Sequence, residues 1–346
     1  MHALVYNGPG QRAWEARPKP AIQLPTDAVV RMTTASICGT DLHIMKGDVP
    51  TVEPGRILGH EGVGIIDSVG SAVTNFAVGD RVIISCITSC GQCDNCRRGM
   101  YSHCRNGGWI LGHLIDGTQA EYVRIPYAST SLHRLPEEID EAAAAMLSDI
   151  LPTGYECGVQ NGEVKPGDVV AIVGAGPIGL AALLTAQFYS PAEIIVIDVD
   201  EARLAVASKL GATFTVTNAD GKAAERVMEH TAGAGVDVAI EAVGTPVTFD
   251  ICQDILGAGG HLANIGVHGR PVSLKLDRLW SHNITLRTRL VDTVTTPMLL
   301  KAVVAGRVHP ATLVTHRFAL ADTMKAYDTF ANAAGEHAIK VMLVAG

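Results

Sequence analysis

The first part of the chain places apolar and polar residues in short runs broken by glycine and proline, at Ala28–Thr34, Gly62–Val69, Arg81–Ser85 and Ala120–Ile125. Such runs predict strands, and no long amphipathic helix pattern separates them, so this part reads as a β-rich domain. From about Val169 the texture changes. Short β-branched runs at Val169–Val173, Ile194–Asp198, Phe214–Val216, Asp237–Ala242, His261–Val267 and Ile284–Leu290 predict strands, and helical patterns at Pro177–Tyr189, Glu201–Leu210 and Val247–Leu256 lie between them. Six strands in a β-α-β rhythm imply a doubly wound parallel sheet. The tail beyond Val291 shows helical stretches at Met298–Ala305 and Asp322–Ala333 and a closing strand at Ile339–Val344. A six-strand nucleotide fold is complete without this tail, so it is expected to rejoin the first domain. The expected division is residues 1–150, completed by 291–346, and residues 151–290.

Length and composition agree with two globular domains: 346 residues, 47% apolar and 18% charged. Lys plus Arg number 27 against 35 Asp plus Glu, a formal charge of −8. The chain therefore has no global attraction for nucleic acid or for an anionic membrane, and neither is an expected partner. No run of 18 apolar residues occurs, and the alanine-rich stretch Ala142–Met146 is too short to span a bilayer. Met1–Tyr6 carries no basic region followed by an apolar run and a small-residue cleavage site, so a cytoplasmic location is expected. Five of the eight cysteines, Cys86, Cys90, Cys93, Cys96 and Cys104, crowd together, while Cys38, Cys157 and Cys252 stand apart. In a reducing compartment that crowding points to metal rather than disulfides.

Gly174-Ala175-Gly176-Pro177-Ile178-Gly179 follows a buried-strand pattern and opens a helical one. In that context GxGxxG is a phosphate-binding turn. Gly174 permits the bend, Gly176 lets backbone approach a pyrophosphate, Gly179 lets helix and strand pack closely, and the helix N-terminus offers N–H groups to the phosphates. Asp198 ends the next strand, where a carboxylate accepts hydrogen bonds from ribose hydroxyls and repels a 2′-phosphate, so NAD is the expected cofactor. The alternative is a glycine turn and a strand-end aspartate with no ligand.

Cys90, Cys93, Cys96 and Cys104 stand as C-x2-C-x2-C-x7-C in a polar loop. Four thiolates at this spacing close a tetrahedron around zinc with no open position, which makes a structural site. Arg97, Arg98 and Arg105 either moderate its charge or are solvated loop residues. A second, dispersed set is Cys38, His60 and Asp149: one sulfur, one imidazole and one carboxylate from three segments would leave zinc an open fourth position, as a catalytic site requires. Taken singly, these residues could equally be a buried thiol, a structural histidine and a helix cap.

Over nearly its whole length the chain resembles the zinc-dependent medium-chain alcohol dehydrogenases. The resemblance is carried by Cys38-Gly39-Thr40-Asp41-x-His43, Gly59-His60-Glu61-Gly62-x-Gly64, the four-cysteine lobe and the Gly174–Gly179 fingerprint, all in the family's order. It implies a β-rich GroES-like catalytic domain plus a doubly wound parallel Rossmann domain, two zinc ions per chain, and a homo-oligomer, dimer or tetramer. It makes Cys38, His60 and Asp149 zinc ligands, with Glu61 able to replace water or substrate in the fourth position and Asp41 orienting His60. Thr40 would touch the substrate oxygen, His43 would relay its proton, and Lys340 falls where the family puts a pyrophosphate-binding cation. The best-known members carry cysteine at the third ligand position. The segment Ser148–Tyr155, with Asp149, looks more like the bacterial secondary-alcohol and formaldehyde dehydrogenases, some of which lack the cysteine lobe that this chain keeps.

The implied chemistry is hydride transfer between an alcohol and NAD, giving aldehyde or ketone. Apolar Ile150 and Leu151, and the segment Trp109-Ile110-Leu111, favour small primary or secondary alcohols, because polyols or amino acids need buried polar partners. These side chains could instead pack in the core. A polyol or threonine-type dehydrogenase is the alternative within the same chemistry. A zinc-free quinone or enoyl reductase should lack Cys38, His60 and the lobe, and a nucleotide-binding scaffold should show degenerate ligand positions; neither sign is present.

Overall fold

The computed structural model describes residues 1–346, which form two units, Met1–Asp149 with Asp292–Gly346, and Ile150–Val291. The first holds strands β1 (His2–Gly8), β2 (Gln11–Ala16), β3 (Ala28–Ile37), β4 (Arg56–Ile57), β5 (Gly62–Val69), β6 (Arg81–Ile84), β7 (Tyr122–Ile125) and β8 (Leu132–Arg134). The second holds β9 (Val169–Val173), β10 (Glu193–Asp198), β11 (Phe214–Thr217), β12 (Val236–Glu241), β13 (Leu256–Asn264) and β14 (Thr285–Thr288). The tail returns β15 (Val314–Ala319) and β16 (Lys340–Val344) to the first.

In the first unit a seven-stranded sheet runs β15-β16-β3-β5-β6-β8, with β7 also on β3, and a smaller sheet runs β2-β1-β4. β3 is the axis of this unit. It pairs antiparallel with β16, β5 and β7, and nearly all its side chains are buried, among them Val30, Met32 and Ile37 against Ile66, Ile84, Val123 and Leu343. Two register pairs place the chemistry. Ala35 opposite Gly62 sets the start of β5, with His60 and Glu61 just before it, beside the end of β3, where Cys38 follows. Val341 opposite Ile37 lays Lys340 against the same end. Ser148 completes the convergence: its hydroxyl bonds Gly62 N and O at 3.1 and 3.0 Å, and its carbonyl accepts Cys86 N–H at 3.0 Å, which ties Asp149 to the head of β5.

The second unit is a six-stranded sheet in the order β11-β10-β9-β12-β13-β14, parallel throughout. The order reverses between β9 and β12, the switch point at which such sheets bind dinucleotides. Ala171, Val173, Ile195, Ile197, Phe249 and Leu262 fill one face of it.

Some elements differ from the sequence expectation. The helix expected to reach Tyr189 ends at Ala186 and tightens to a 3₁₀ turn over Gln187–Tyr189. Strands β1, β2 and β15 and the helix Ala223–His230 carry no expectation from the pattern. β1 buries four consecutive residues, Ala3–Tyr6, so it does not alternate, and β2 is half-exposed along most of its length and lacks an apolar face. No helix is long and apolar enough to cross a membrane.

Candidate active site and metal centres

Cys38 follows β3 and is the N-cap of the helix Gly39–Lys46, whose eight residues are too few to register as a periodic pattern. His60 follows Gly59, which has φ +93° and packs so tightly on the chain crossing above it that a Cβ on Gly117 would stand 1.9 Å from the Gly59 carbonyl. Here the backbone needs glycine, and the resulting turn aims His60 inward. Ligand atoms of Cys38, His60, Glu61 and Asp149 lie within 4.8 Å of one another, and all four residues are buried. Cys38 Sγ is 3.8 Å and His60 Nε2 3.3 Å from Asp149 Oδ2. Thr40 Oγ1 accepts from Cys38 Sγ at 3.7 Å.

This point of the interior holds more acid than base. Burial pushes the Cys38 thiol up, helped by the Glu61 charge, and pushes the Asp41 carboxyl up as well. Burial opposes charge on His60, but hydrogen bonds to Asp149 and Cys38 outweigh it and hold the imidazole well above its ordinary value. Oδ1 of Asp41 and Oε1 of Glu61 have no hydrogen-bond partner. Converging anionic donors with unspent lone pairs fit a divalent cation, and one sulfur, one imidazole nitrogen and carboxylate oxygen form a donor set that zinc accepts.

Lys340 requires correction. It is neither a surface lysine nor free for a pyrophosphate. The register of β16 buries it to 1% exposure, and its ammonium bonds Glu61 Oε2 at 2.5 Å. The Ser36 hydroxyl donates to the same oxygen, so Glu61 is held by Lys340, which the sequence placed at a pyrophosphate, and by Ser36, which carried no expectation.

The other expected residues are placed as follows. His43 lies one turn beyond Thr40, partly exposed, with Nδ1 2.9 Å from Asp48 Oδ2. Asp41 Oδ1 is 3.8 Å from His60 Nδ1. Trp109 is half-buried, edge-on to the His60 ring at 6.4 Å and stacked on His113 at 4.4 Å. Leu111, Ile150 and Leu151 are fully buried core residues, so only Trp109 and Ile110 of that apolar group keep exposed surface. Cys86, which the sequence grouped with the lobe cysteines, stands apart from their cluster: burial and the charge of Asp149 push its thiol well up.

Cys90, Cys93, Cys96 and Cys104 form the second cluster, and none of these four is in a disulfide. Cys90 Sγ stands 4.0 Å from Cys96 Sγ, and Cys90 N–H donates to Cys104 Sγ at 3.2 Å. Backbone N–H groups of Arg105 and Cys96 pull the Cys93 thiol down to about 6, the thiolate form a metal takes, while burial pushes Cys96 up to about 12. Arg105 pairs with Asp94 at 2.9 Å in a largely exposed bridge, and Arg98 bonds Asn95. Asp292 anchors the lobe by accepting from Ser102 N and Oγ at 2.8 and 2.6 Å.

In the second unit Pro177 and Ile178 open the helix Pro177–Ala186, with Gly176 at its N-cap. A Cβ on Gly179 would stand 1.8 Å from the Gly174 carbonyl, so helix and turn meet backbone to backbone. Asp198 accepts from Ala175 N–H at 2.6 Å and Asp200 N–H at 2.9 Å, which fixes its carboxylate beside the turn. Two residues here escaped the sequence reading. Arg203 brings Nη1 to 4.0 Å from where a Gly176 Cβ would be. Glu241, fully buried at the end of β12, accepts from Val243 N, Gly244 N and Thr248 Oγ1 at 3.0, 2.8 and 2.7 Å and so organises the loop at the switch point.

Residues 24–137 match the model of the alcohol dehydrogenase GroES-like domain, and residues 177–305 that of zinc-binding dehydrogenases. An alcohol dehydrogenase of Cupriavidus necator is 37% identical over 96% of this chain and 95% of its own. Among solved structures, the apo form of zinc dependent alcohol dehydrogenase 2 from Streptococcus pneumonia aligns at a TM-score of 0.96 and 52% identity, covering 100% of this chain and 98% of that one. The short chain alcohol dehydrogenase rspB from E. coli CFT073, complexed with NADH, aligns at 0.90 and 26% identity over 99% of both.

Proposed function

The chain belongs to the zinc-dependent alcohol dehydrogenase family, and from that premise we propose that it moves a hydride between a small primary or secondary alcohol and NAD, giving the aldehyde or ketone. The observation that carries this reading is the buried meeting of Cys38, His60 and Asp149 in a chain whose other unit presents a phosphate-binding turn.

Cys38, His60 and Asp149 would hold the catalytic zinc, and the four lobe cysteines a structural one. Zinc bound at the first site acts as a Lewis acid, which favours ionisation of an alcohol hydroxyl near neutral pH. Thr40, whose hydroxyl stands beside Cys38, would receive the alcohol proton as it gives up its own hydroxyl proton, and His43, on the same helix face three residues on, would take that released proton outward with Asp48 behind it. Glu61 remains engaged by Lys340 and Ser36 instead of occupying the open position. Gly174, Gly176 and the helix N-terminus at Pro177 receive the pyrophosphate, and Asp198 receives the adenosine ribose; the relative complexed with NADH supports a nicotinamide cofactor. Trp109 beside His60 supports an apolar substrate.

We infer a homo-oligomer from β14, the outermost strand of its sheet, preceded by the exposed Leu274, Leu276 and Trp280, the last at 77% exposure. Two cysteine-bearing metal clusters, which need reduced thiols, support a cytoplasmic location.

The test is kcat/KM for 2-butanol, 1-butanol, benzyl alcohol, 2,3-butanediol, sorbitol and threonine with NAD. Superiority of a simple alcohol is expected. A clear preference for sorbitol or threonine overturns the substrate reading, and no turnover of any of them by zinc-loaded protein overturns the proposed reaction.

A further inference from the structure

We infer that Gln119, backed by Tyr327, is a positioning residue that aims Asp41 at His60 and thereby sets how firmly the catalytic site holds its metal. Three segments distant in sequence meet here: the loop before β7, the helix Gly39–Lys46 and the helix Thr323–Ala331. Gln119 and Tyr327 are both buried. The Tyr327 hydroxyl donates to Gln119 Oε1 at 2.7 Å, and Gln119 Nε2 donates to Ser36 O at 3.2 Å and to Asp41 Oδ2 at 2.9 Å. Cys38 N–H donates to that same Asp41 oxygen at 2.9 Å.

The direction of this chain is determined by chemistry. Reversing the Gln119 amide would set its oxygen against a carboxylate and a carbonyl, so its NH₂ must face Asp41 and its oxygen must accept from Tyr327. Both donors converge on Oδ2. Oδ1 is left without a donor and lies 3.8 Å from His60 Nδ1, on the side of the ring away from Nε2, which faces Asp149. An Asp41 held in this way turns Oδ1 toward Nδ1 and not toward Nε2, which favours the proton on Nδ1 and leaves the Nε2 lone pair for the metal. Without the Gln119 amide, Asp41 keeps one donor on Oδ2 and can turn about its Cβ–Cγ bond, and the preference between tautomers weakens. Gln119 and Tyr327 touch neither the ligand atoms nor a reacting group, so they act through Asp41.

The inference rests on the reading of Cys38, His60 and Asp149 as a zinc site, and its test separates the two. Zinc release to a chromophoric chelator is followed in wild type, Gln119→Leu, Tyr327→Phe and Cys38→Ser, with metal content counted beforehand and the visible spectrum recorded after cobalt substitution. Removing partners behind a metal ligand costs about 10- to 100-fold in affinity. One zinc of Gln119→Leu is therefore expected to leave about tenfold faster, with altered cobalt d–d bands, while the lobe zinc leaves at the wild-type rate. Tyr327→Phe should shift the same zinc in the same direction by less. Wild-type release of both zincs from Gln119→Leu overturns the inference, as does equal acceleration of both, which marks general loosening. If Gln119→Leu does not fold, Tyr327→Phe decides, and unchanged release in it overturns the inference. A wild-type protein with a single zinc, unaffected by Cys38→Ser, overturns the metal-site reading itself.

Discussion

Lys340→Met removes the only cation bonded to Glu61. Both side chains are 1% exposed and the bond is 2.5 Å, so bulk water cannot replace the ammonium. Glu61 would keep the Ser36 hydroxyl on Oε2, with Oε1 already lacking a partner. Burial drives the Glu61 carboxyl up and the Lys340 charge pulls it back; without the lysine that opposing pull is lost and the charged form becomes costly. Breaking a buried pair by deleting one partner costs about 3–5 kcal/mol. Methionine fills most of the space of the lysine stem, so the cavity contribution is small. In a unit of roughly 200 residues each kcal/mol lowers Tm by about 2–4 °C, which predicts a fall of about 10 °C. Zinc-saturated wild type, Lys340→Met, Glu61→Gln and the double variant should be melted together by calorimetry. The double variant should recover at least half of the Lys340→Met loss, because a glutamine facing methionine strands no charge. Melting of Lys340→Met within about 2 °C of wild type, or a double variant that loses the sum of the two single losses, would refute the account of Glu61 and Lys340 as a pair.

Metal analysis should find two zincs per chain; Cys93→Ser should lose one and lower Tm, whereas Cys38→Ser or Asp149→Asn should lose the other and abolish turnover with NADH binding retained. One zinc in fully loaded protein contradicts this. NAD should be preferred over NADP, and Asp198→Gly should narrow the preference by freeing a 2′-phosphate from repulsion beside Arg203; comparable kcat/KM for both cofactors in the unmodified protein counts against it. Burial pushes the His133 imidazole down to about 4, below its ordinary 6.5. The unfolded chain therefore binds more protons between these values, and stability present above pH 6.5 is lost as pH falls toward 4. That loss reaches up to about 2 kcal/mol by pH 5, so His133→Gln should show a smaller Tm drop between pH 7 and pH 5, and an identical drop would remove His133 from the acid limb.

The parts of the fold legible in the sequence were those in which local pattern and tertiary role coincide. β9, with Val169–Val173 buried nearly throughout, reads as a parallel core strand because both its faces are covered, and the glycines after it read as a phosphate turn because strand and helix flank them. β1 and β2 were illegible for the opposite reason: four consecutive buried residues in one strand and no apolar face in the other remove the alternation that marks a strand. The donors Cys38, His60, Glu61 and Asp149 could be picked out by residue type, since thiol, imidazole and carboxylate announce metal chemistry wherever they fall. What pairs with them could not be read in this way. Ser36, Gln119, Tyr327 and Lys340 are of types found at any surface, and only the register of β16 on β3 and the packing of the Thr323–Ala331 helix carry them inward, across 279 residues for Lys340 and Glu61.

That asymmetry has a physical basis in the charge of the site. Cys38, Asp41, Glu61 and Asp149 bring four acidic groups to one buried point, where ionisation is opposed unless each charge is met. A metal held by Cys38, His60 and Asp149 leaves Glu61 and Asp41 to be met by the chain, which does so by two different means: an ammonium on Glu61, and a file of neutral donors, from tyrosine through glutamine, on Asp41. The cation supplies charge and the file supplies direction. Glu61 needs only to be neutralised and held, whereas Asp41 must offer one particular oxygen to one nitrogen of His60, and a planar amide with two N–H groups and one acceptor imposes that choice where a mobile ammonium would not.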